Sequence, residues 1–509
     1  MSNSPLPSAL IENKKLVRNV FFNLFGYGIP LFAAVFTIPI IIHKLGTDRF
    51  GILTLAWVLI GYLGLFDMGL GRALTKLVSE KLGSGLIDEI PTLIWTALAV
   101  MAGIGIFVAI AAALSVPVLS REILKIPPEL RKESTTAFMI LVLFTPVIIT
   151  SVGFRGVLDA YQRFDLTNTV RIPLGLFTFI APLMVIPFSV SLVPLFVVLM
   201  GGRMVALLVQ GYFCLRVVPN LKNRIRIDPT NIGALLRFGG WMTVTNIISP
   251  LMIYADRFFI GAVISVTAVA YYATPGEVIT KLLLISGSLM GVLFPAFSST
   301  YDNDRPKTTA LFLKGIKYIY LIMFPVSLVI VTFSGEGLSF WLGTEFARQS
   351  TLILQLMTIA VFFISLGQVP YSLIQGAGRP DITARLHLIE LPVYLMVLYL
   401  LIRGFGIRGA AFAWMLRAMI DSTLLYFLAR RLLKPALPSA CLDRFSAIPI
   451  VLCLLAAGFS FVHMAVTVKL VGVFCFLAIY TGAGWIWFLN ASEKDMIKNT
   501  VRPFFTSRS

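Results

Sequence analysis

Apolar runs that are each long enough to cross a lipid bilayer recur along this whole chain, and they constrain its fold more than any other feature. A membrane-crossing helix needs about 20 mostly apolar residues. The sequence predicts about fourteen such spans, at residues 19–42, 50–70, 91–114, 135–158, 170–190, 193–215, 238–263, 269–298, 318–333, 352–375, 386–402, 409–428, 445–466 and 470–489. Only 13% of the residues are charged, against roughly 25% in soluble domains. We therefore predict an all-α integral membrane protein.

The basic residues predict how the chain is oriented. Lys and Arg total 42 against 24 Asp and Glu, a formal net charge of +18. Most of the basic residues fall in alternate short connections between spans, as expected of cytoplasmic loops under the positive-inside rule. This distribution places both termini in the cytoplasm and argues against nucleic acid as a partner.

Four segments are predicted from the spacing of the spans. Residues 1–218 form an N-terminal lobe of six helices, 219–236 a cytoplasmic linker, 237–434 a second six-helix lobe, and 435–509 a further helix pair with a cytoplasmic tail. A shift of 220 residues places Pro30 on Pro250, in keeping with the duplicated halves common among transporters.

Enzyme signatures are missing from the sequence. The predicted external connections are short, so there is no room for a catalytic domain outside the membrane. The three histidines are scattered, the four cysteines show no CxxC spacing, and no phosphate-binding loop occurs. We predict neither a metal nor a cofactor, and no enzymatic activity.

Ionisable side chains inside the predicted spans are the candidate functional residues. Each costs about 2.5–3.5 kcal/mol to insert, so it is expected to face a cavity or a partner. Three sets lie four residues apart, on one face of a helix: Arg155 with Asp159, Glu277 with Lys281, and Arg417 with Asp421. Each set is either a local ion pair or part of a charged lining of a water-filled pathway.

The remaining charges have no such neighbour. Arg203 has no acid one turn away, so it is expected to meet a distant partner, water or an anionic ligand. Arg257, next to Asp256, lies near the predicted outer boundary and is expected to extend its side chain to the membrane surface. Asp67, Glu390 and Asp256 are candidate coupling or ion-pair acids, although acids at helix ends are often merely solvated.

Several stretches resemble one family of membrane proteins. They are FGILTLAWVLIGYLGLFDMGLGRALTKLVSE at 50–80, GVLDAYQRFDLTN at 156–168, YADRFFIG at 254–261, QGAGRPDI at 375–382 and GIRGAAFAWMLR at 406–417. Together they resemble the polysaccharide transporters, the Wzx-type oligosaccharide flippases of the multidrug/oligosaccharidyl-lipid/polysaccharide superfamily.

The resemblance implies a flippase of the bacterial cytoplasmic membrane. Its substrate would be a lipid-linked oligosaccharide, on undecaprenyl pyrophosphate, moved from the inner to the outer leaflet by alternating access for synthesis of O-antigen or exopolysaccharide. Membrane lipids and polysaccharide assembly proteins are candidate partners. Lys281, Arg203, Arg155 and Arg417 are the cations expected to line the cavity, by residue type and depth.

Three alternatives stay open at the level of sequence. A lipid II flippase and a multidrug antiporter share the superfamily plan, although an antiporter of cations would be expected to carry an excess of membrane acids. A polytopic polysaccharide polymerase or ligase would act on the same lipid-linked sugars, but it would need a large external catalytic loop.

Overall fold

The fold is built from helices that are long and apolar enough to cross a membrane. The computed structural model describes residues 33–64, 67, 69–230, 232–233, 252, 254–433 and 466–483. Within these residues there is no strand, and eight helices meet the length and hydropathy expected of a membrane span. The prediction of an all-α membrane protein is confirmed. The predicted span 445–466 lies almost wholly outside the described residues, as do parts of the spans at 19–42, 238–263 and 470–489.

The helices are numbered in chain order. They are α1 Ala33–Leu45, α2 Thr47–Leu63, α3 Leu70–Gly83, α4 Ile90–Val118, α5 Pro128–Leu143, α6 Thr145–Ala160, α7 Phe164–Val185, α8 Leu192–Val217, α9 254–263, α10 Val266–Ile279, α11 Leu283–Thr300, α12 Arg305–Thr332, α13 Ser334–Leu342, α14 Thr344–Gly376, α15 Pro380–Leu433 and α16 Val466–Ala483.

Local sequence explains where several helices start and bend. Ser265 and Asp304 cap α10 and α12, where their side-chain oxygens accept hydrogen bonds from backbone N–H groups that the helix leaves unpaired. Gly406 interrupts α15 with a φ of 60°, a conformation that glycine adopts without steric cost. This interruption lies between the predicted spans 386–402 and 409–428.

Two compact units divide the chain. One comprises Met1–Lys281 with Ala384–Ala413, and the other comprises Leu282–Thr383 with Trp414–Ser509. The two predicted six-helix lobes, with their linker at 219–236, have other boundaries and remain a prediction.

Residues predicted to lie on the external side contact one another in the first unit. Thr267, at the start of α10, donates a hydrogen bond to the Asp48 carboxylate in the first turn of α2. The backbone N–H of Lys125 donates to the Gly261 carbonyl over 2.9 Å. Asp48, Thr267 and Lys125 lie in connections, and Gly261 lies near the end of the span 238–263, that the prediction places on the same face of the membrane.

A second set of contacts joins the connections predicted at the opposite end. Arg224 Nη1 lies 2.9 Å from Asp88 Oδ1, and Trp95 Nε1 donates to the Leu221 carbonyl over 2.9 Å. Both contacts agree with the predicted alternation of spans, which assigns Asp88, Leu221, Arg224 and the start of the span 91–114 to one side of the membrane.

Tight packing of α3 against α6 holds the core of the first unit. Gly156 allows it, because a Cβ built there would lie 2.6 Å from the carbonyl oxygen of Gly71. Thr75 Oγ1 donates to the Gly156 carbonyl over 2.9 Å and ties the two helices together. Fully buried apolar side chains of α3, α4, α6 and α8 surround this contact, so α6 is rigidly positioned.

Candidate functional site

A cavity of about 420 Å³ lies among α2, α6, α7 and α8 in the first unit. Its walls combine apolar side chains, glycines and a concentrated set of polar groups. The lining residues are Trp57, Ile60, Gly61, Gly64, Ile148, Ser151, Val152, Arg155, Thr167, Val170, Arg171, Leu174, Arg203 and Gln210.

Arginines from three successive helices meet at this cavity. Arg155 comes from α6, Arg171 from α7 and Arg203 from α8. Arg155 is exposed, whereas Arg171 and Arg203 are half-buried. In the described part of the chain, the side chains of Arg155 and Arg203 form neither a hydrogen bond nor an ion pair. The cavity therefore offers two guanidinium groups, those of Arg155 and Arg203, whose donors remain available.

The nearest acids are committed to other contacts. Asp159 Oδ1 accepts a hydrogen bond of 3.0 Å from Thr167, and this carboxylate lies within electrostatic range of Arg155 and Arg171. Asp67 accepts bonds of 2.9 and 3.0 Å from the backbone N–H groups of Gly69 and Gly71. Asp67 thus caps the start of α3, while its predicted role as a coupling acid remains a prediction.

Helical spacing explains how the polar and small residues reach the cavity. Arg203 and Gln210 lie seven residues apart on α8, and therefore on one face. Trp57 and Gly61 on α2, and Gly64 directly after its last residue, follow the same pattern. A Cβ built on Gly61 would meet no atom within 4 Å, so this glycine leaves open space beside the arginines.

Sequence reasoning missed Arg171 and Gln210. The predicted span at 170–190 placed Arg171 at its very end, but α7 begins at Phe164, so Arg171 lies two turns inside the helix. Thr167 and Arg171, four residues apart, were the available signal for a polar face. For Gln210, the signal was its spacing of seven from Arg203.

The cavity is suited to an anion that carries several oxygen atoms. A guanidinium group is planar and donates two parallel hydrogen bonds to a phosphate or carboxylate. Its positive charge also persists when it is partly removed from water. Three such groups on separate helices can surround one anion, while Thr167 and Gln210 offer further polar atoms.

A second group of charges in the same unit is arranged differently. Arg257, on α9, is 7% exposed, and its Nη1 lies 2.9 Å from Glu277 Oε1 on α10. The expectation that Arg257 extends to the membrane surface is wrong, because a carboxylate on the neighbouring helix binds it in the interior. Asp256 accepts hydrogen bonds from the Tyr272 hydroxyl and from the Arg257 backbone N–H.

Lys281 follows this network in the chain. It lies in the 3₁₀ turn Thr280–Leu282, after α10 has ended at Ile279. Its charge acts on Glu277 at longer range, while the direct partner of Glu277 is Arg257. Among the described residues, Lys281 has no direct ion pair, and its predicted role as a cavity cation remains a prediction.

The remaining predicted residues lie on α15. Glu390 belongs to the first unit, and Arg417 and Asp421 belong to the second. All three are half-buried, and none lines the arginine cavity. Their predicted roles as coupling acids and as a cavity cation remain predictions.

Comparison with known proteins places the chain in a family. The model of the polysaccharide biosynthesis protein family matches residues 16–301. The chain belongs to this family. A Shigella flexneri protein assigned as an O-antigen transporter is 30% identical over 425 residues, which cover 82% of this chain and 98% of that protein. A Haloferax volcanii protein assigned as the flippase AglR is 22% identical over 404 residues, 77% of this chain and 78% of that protein.

Solved structures show that this member of the polysaccharide biosynthesis protein family has a known transporter fold. The lipid II flippase MurJ in an inward closed conformation matches with a TM-score of 0.73 at 12% identity, over 92% of this chain and 99% of that chain. An inward-facing multidrug resistance transporter of the MATE family matches with a TM-score of 0.69 at 14% identity, over 81% of this chain and 98% of that chain.

Proposed function

We propose that this protein is a flippase that moves a lipid-linked oligosaccharide, carried on a polyprenyl pyrophosphate, across the cytoplasmic membrane of a bacterium. The sugar would pass from the inner to the outer leaflet for synthesis of a surface polysaccharide such as O-antigen. Membership of the polysaccharide biosynthesis family and the relatives assigned as an O-antigen transporter and as flippases support this proposal.

The observation that carries the proposal is the meeting of Arg155, Arg171 and Arg203 in one cavity. A pyrophosphate bearing a sugar cannot enter hydrocarbon unaided, because it would lose its hydration without compensation. Arg155 and Arg203, which form no ion pair within the described residues, can replace that hydration with charge-assisted hydrogen bonds. A cation substrate of the kind expected for a multidrug antiporter would be repelled by the same cavity.

Transport would proceed by alternating access, with the cavity open first to the inner side and then to the outer side. The chain would lie in the membrane with both termini in the cytoplasm. Its basic cytoplasmic connections would then attract the anionic headgroup to the entrance. This role needs no catalytic residue, metal or cofactor of the chain itself.

The test replaces the three cavity arginines in the strain of origin after deletion of the native copy. The triple variant Arg155→Gln, Arg171→Gln and Arg203→Gln should be made to a normal level but should not restore surface polysaccharide. Lipid-linked oligosaccharide should accumulate on the inner leaflet. Arg121→Gln is the matched control, because Arg121 is exposed and lies outside the cavity.

Normal polysaccharide export by the triple variant would reject the proposed cavity. Deletion that stops peptidoglycan synthesis while surface polysaccharide persists would identify lipid II as the substrate instead. Deletion that changes only resistance to cationic drugs would favour an antiporter.

A further inference from the structure

A second cavity, of about 500 Å³, lies between α7 and α8. It is an almost wholly apolar groove, and we call it the α7–α8 groove. Phe177 on α7 and Gly201, Gly202 and Val205 on α8 are among its walls. Its volume lies in the range of pockets that hold organic ligands.

The groove adjoins the arginine cavity. Val170 and Leu174 of α7 line both spaces. On α8, Gly202 of the groove directly precedes Arg203 of the cavity. An apolar surface and a cationic surface therefore meet along one short stretch of two neighbouring helices.

The shape of the groove depends on two adjacent glycines. A Cβ built on Gly202 would lie 2.4 Å from Phe177 Cε1, so only glycine lets the aromatic ring lie against the α8 backbone. A Cβ on Gly201 would meet no atom within 4 Å, which leaves room inside the groove. Val205, beside them, is 60% exposed, so the groove opens at the apolar outer surface of α8.

We infer that the α7–α8 groove binds the polyprenyl chain of the substrate next to its pyrophosphate, an inference that rests on the proposed function. In a lipid-linked oligosaccharide, an apolar branched chain joins a doubly charged phosphate group directly. Such a molecule requires an apolar surface and a cationic surface at neighbouring positions, and the α7–α8 groove and the arginine cavity provide them on either side of Val170 and Leu174.

Binding in this groove would act through shape. Lipid tails are as apolar as the groove, so little hydrophobic free energy separates the groove from the bilayer, and van der Waals packing decides which chain fits. A branched prenyl chain held at Phe177 and Gly201 would fix the position of the pyrophosphate beside Arg203. The groove would thus orient the headgroup and discriminate against the straight chains of phospholipids.

Photochemical labelling of the full-length protein in phospholipid vesicles tests the inference. The probe is undecaprenyl pyrophosphate with a diazirine on an isoprene unit close to the phosphate. Labelled peptides should come from α7 and α8. Gly201→Leu should fill the groove and reduce this labelling by about tenfold, which corresponds to a tenfold increase in the dissociation constant of the probe.

Gly103→Leu is the matched control. Gly103 is an exposed glycine of α4, and a Cβ there also meets no atom within 4 Å. This variant should be labelled like the unaltered protein. Labelling of α7 and α8 that survives Gly201→Leu would overturn the inference. Equal labelling by phosphatidylethanolamine with a diazirine on its acyl chain would also overturn it, because the groove would then accept any lipid.

The proposed function and the groove can fail separately. If Arg203→Leu reduces polysaccharide export by roughly 10- to 100-fold while the probe labels other helices, the groove inference falls and the flippase stands. If deletion of the native copy leaves surface polysaccharide unchanged and the probe labels no part of the chain, the proposed function fails and the groove inference falls with it.

Discussion

The first unit contains arginines in two opposite environments: the arginine cavity, and the Arg257 network, which comprises Arg257, Glu277, Asp256 and Tyr272. In the cavity, Arg203 has no direct carboxylate partner among the described residues, and open space lies beside it. In the network, Arg257 binds Glu277 at 2.9 Å and is almost fully buried. Charge that is paired and enclosed holds helices together, whereas surplus charge beside open space is available to a ligand.

Energetics explains why the two arrangements should respond differently to mutation. Removing one partner of a buried ion pair leaves the other charge in the interior without compensation. An arginine that lines a cavity without a direct ion pair contributes little to folding, because no partner offsets the cost of partly removing its charge from water. Stability and transport should therefore separate between the two groups.

The largest effect on stability is expected from Arg257→Met. This change strands the Glu277 carboxylate and should lower the free energy of unfolding by about 3–5 kcal/mol. The measurement is the thermal unfolding midpoint of the purified protein in detergent, followed by tryptophan fluorescence. The double variant Arg257→Met with Glu277→Leu removes both charges and should recover most of the loss. A single variant as stable as the unaltered protein would show that this pair is not a structural element.

Arg203→Leu should show the reverse pattern. Loss of a charge-assisted hydrogen bond to the substrate, worth about 1.5–3 kcal/mol, should reduce export by roughly 10- to 100-fold. The unfolding midpoint should stay the same or rise. Arg203→Lys keeps the positive charge but loses the planar guanidinium group that donates two parallel hydrogen bonds. Its export should therefore lie between those of Arg203→Leu and the unaltered protein. A fall in the midpoint like that of Arg257→Met would place Arg203 in a structural role and abolish the contrast.

Two glycines sharpen the same comparison without any change of charge. Gly61→Leu should project a side chain into the cavity and reduce export with little change in the unfolding midpoint, because a Cβ there meets no atom within 4 Å. Gly156→Ala should instead lower the free energy of unfolding by about 1–3 kcal/mol, through overpacking against Gly71. Export per folded molecule should then be retained. If Gly61→Leu instead lowered the unfolding midpoint and left export unchanged, the space beside Gly61 would not be part of the pathway.

The sequence predicts the membrane fold better than it predicts the site, for a physical reason. Span length and the alternation of loops follow from hydrophobicity along the chain, and contacts such as Asp48 with Thr267 agree with them. Arg155 and Arg203 can be singled out because charge is costly at membrane depth.

Contacts between helices are harder to predict, because spacing along one helix does not encode them. Spacing favours Lys281 as the neighbour of Glu277, but the direct partner is Arg257, twenty residues earlier on another helix. The sequence does not predict Arg171 as a site residue, because hydropathy defines the start of α7 poorly. The Arg171 side chain reaches the cavity only because the helix starts at Phe164.

The smallest expected effect comes from an ion pair of similar geometry outside the predicted membrane spans. In the second unit, Lys469 Nζ lies 2.8 Å from Glu336 Oε1, with 13% and 33% of the two side chains exposed. Burial opposes ionisation of Glu336, but the hydrogen bond and charge of Lys469 outweigh it and lower the pKa of this carboxyl below its usual 4.5. A lowered pKa stabilises the folded state at pH values above 4.5, and this contribution is lost as the pH falls through the folded-state value.

Lys469→Gln should therefore lower the free energy of unfolding at pH 7 by only about 0.5–1 kcal/mol, as for partly solvated pairs. The difference from the unaltered protein should shrink below pH 4.5, when Glu336 becomes protonated in both proteins. Thermal midpoints measured from pH 7 to pH 3 check this, with Arg348→Gln, an exposed arginine near Glu345, as the control. A loss as large as that of Arg257→Met would mean that geometry alone, rather than enclosure, sets the strength of these pairs. The contrast between paired and available charge would then lose its physical basis.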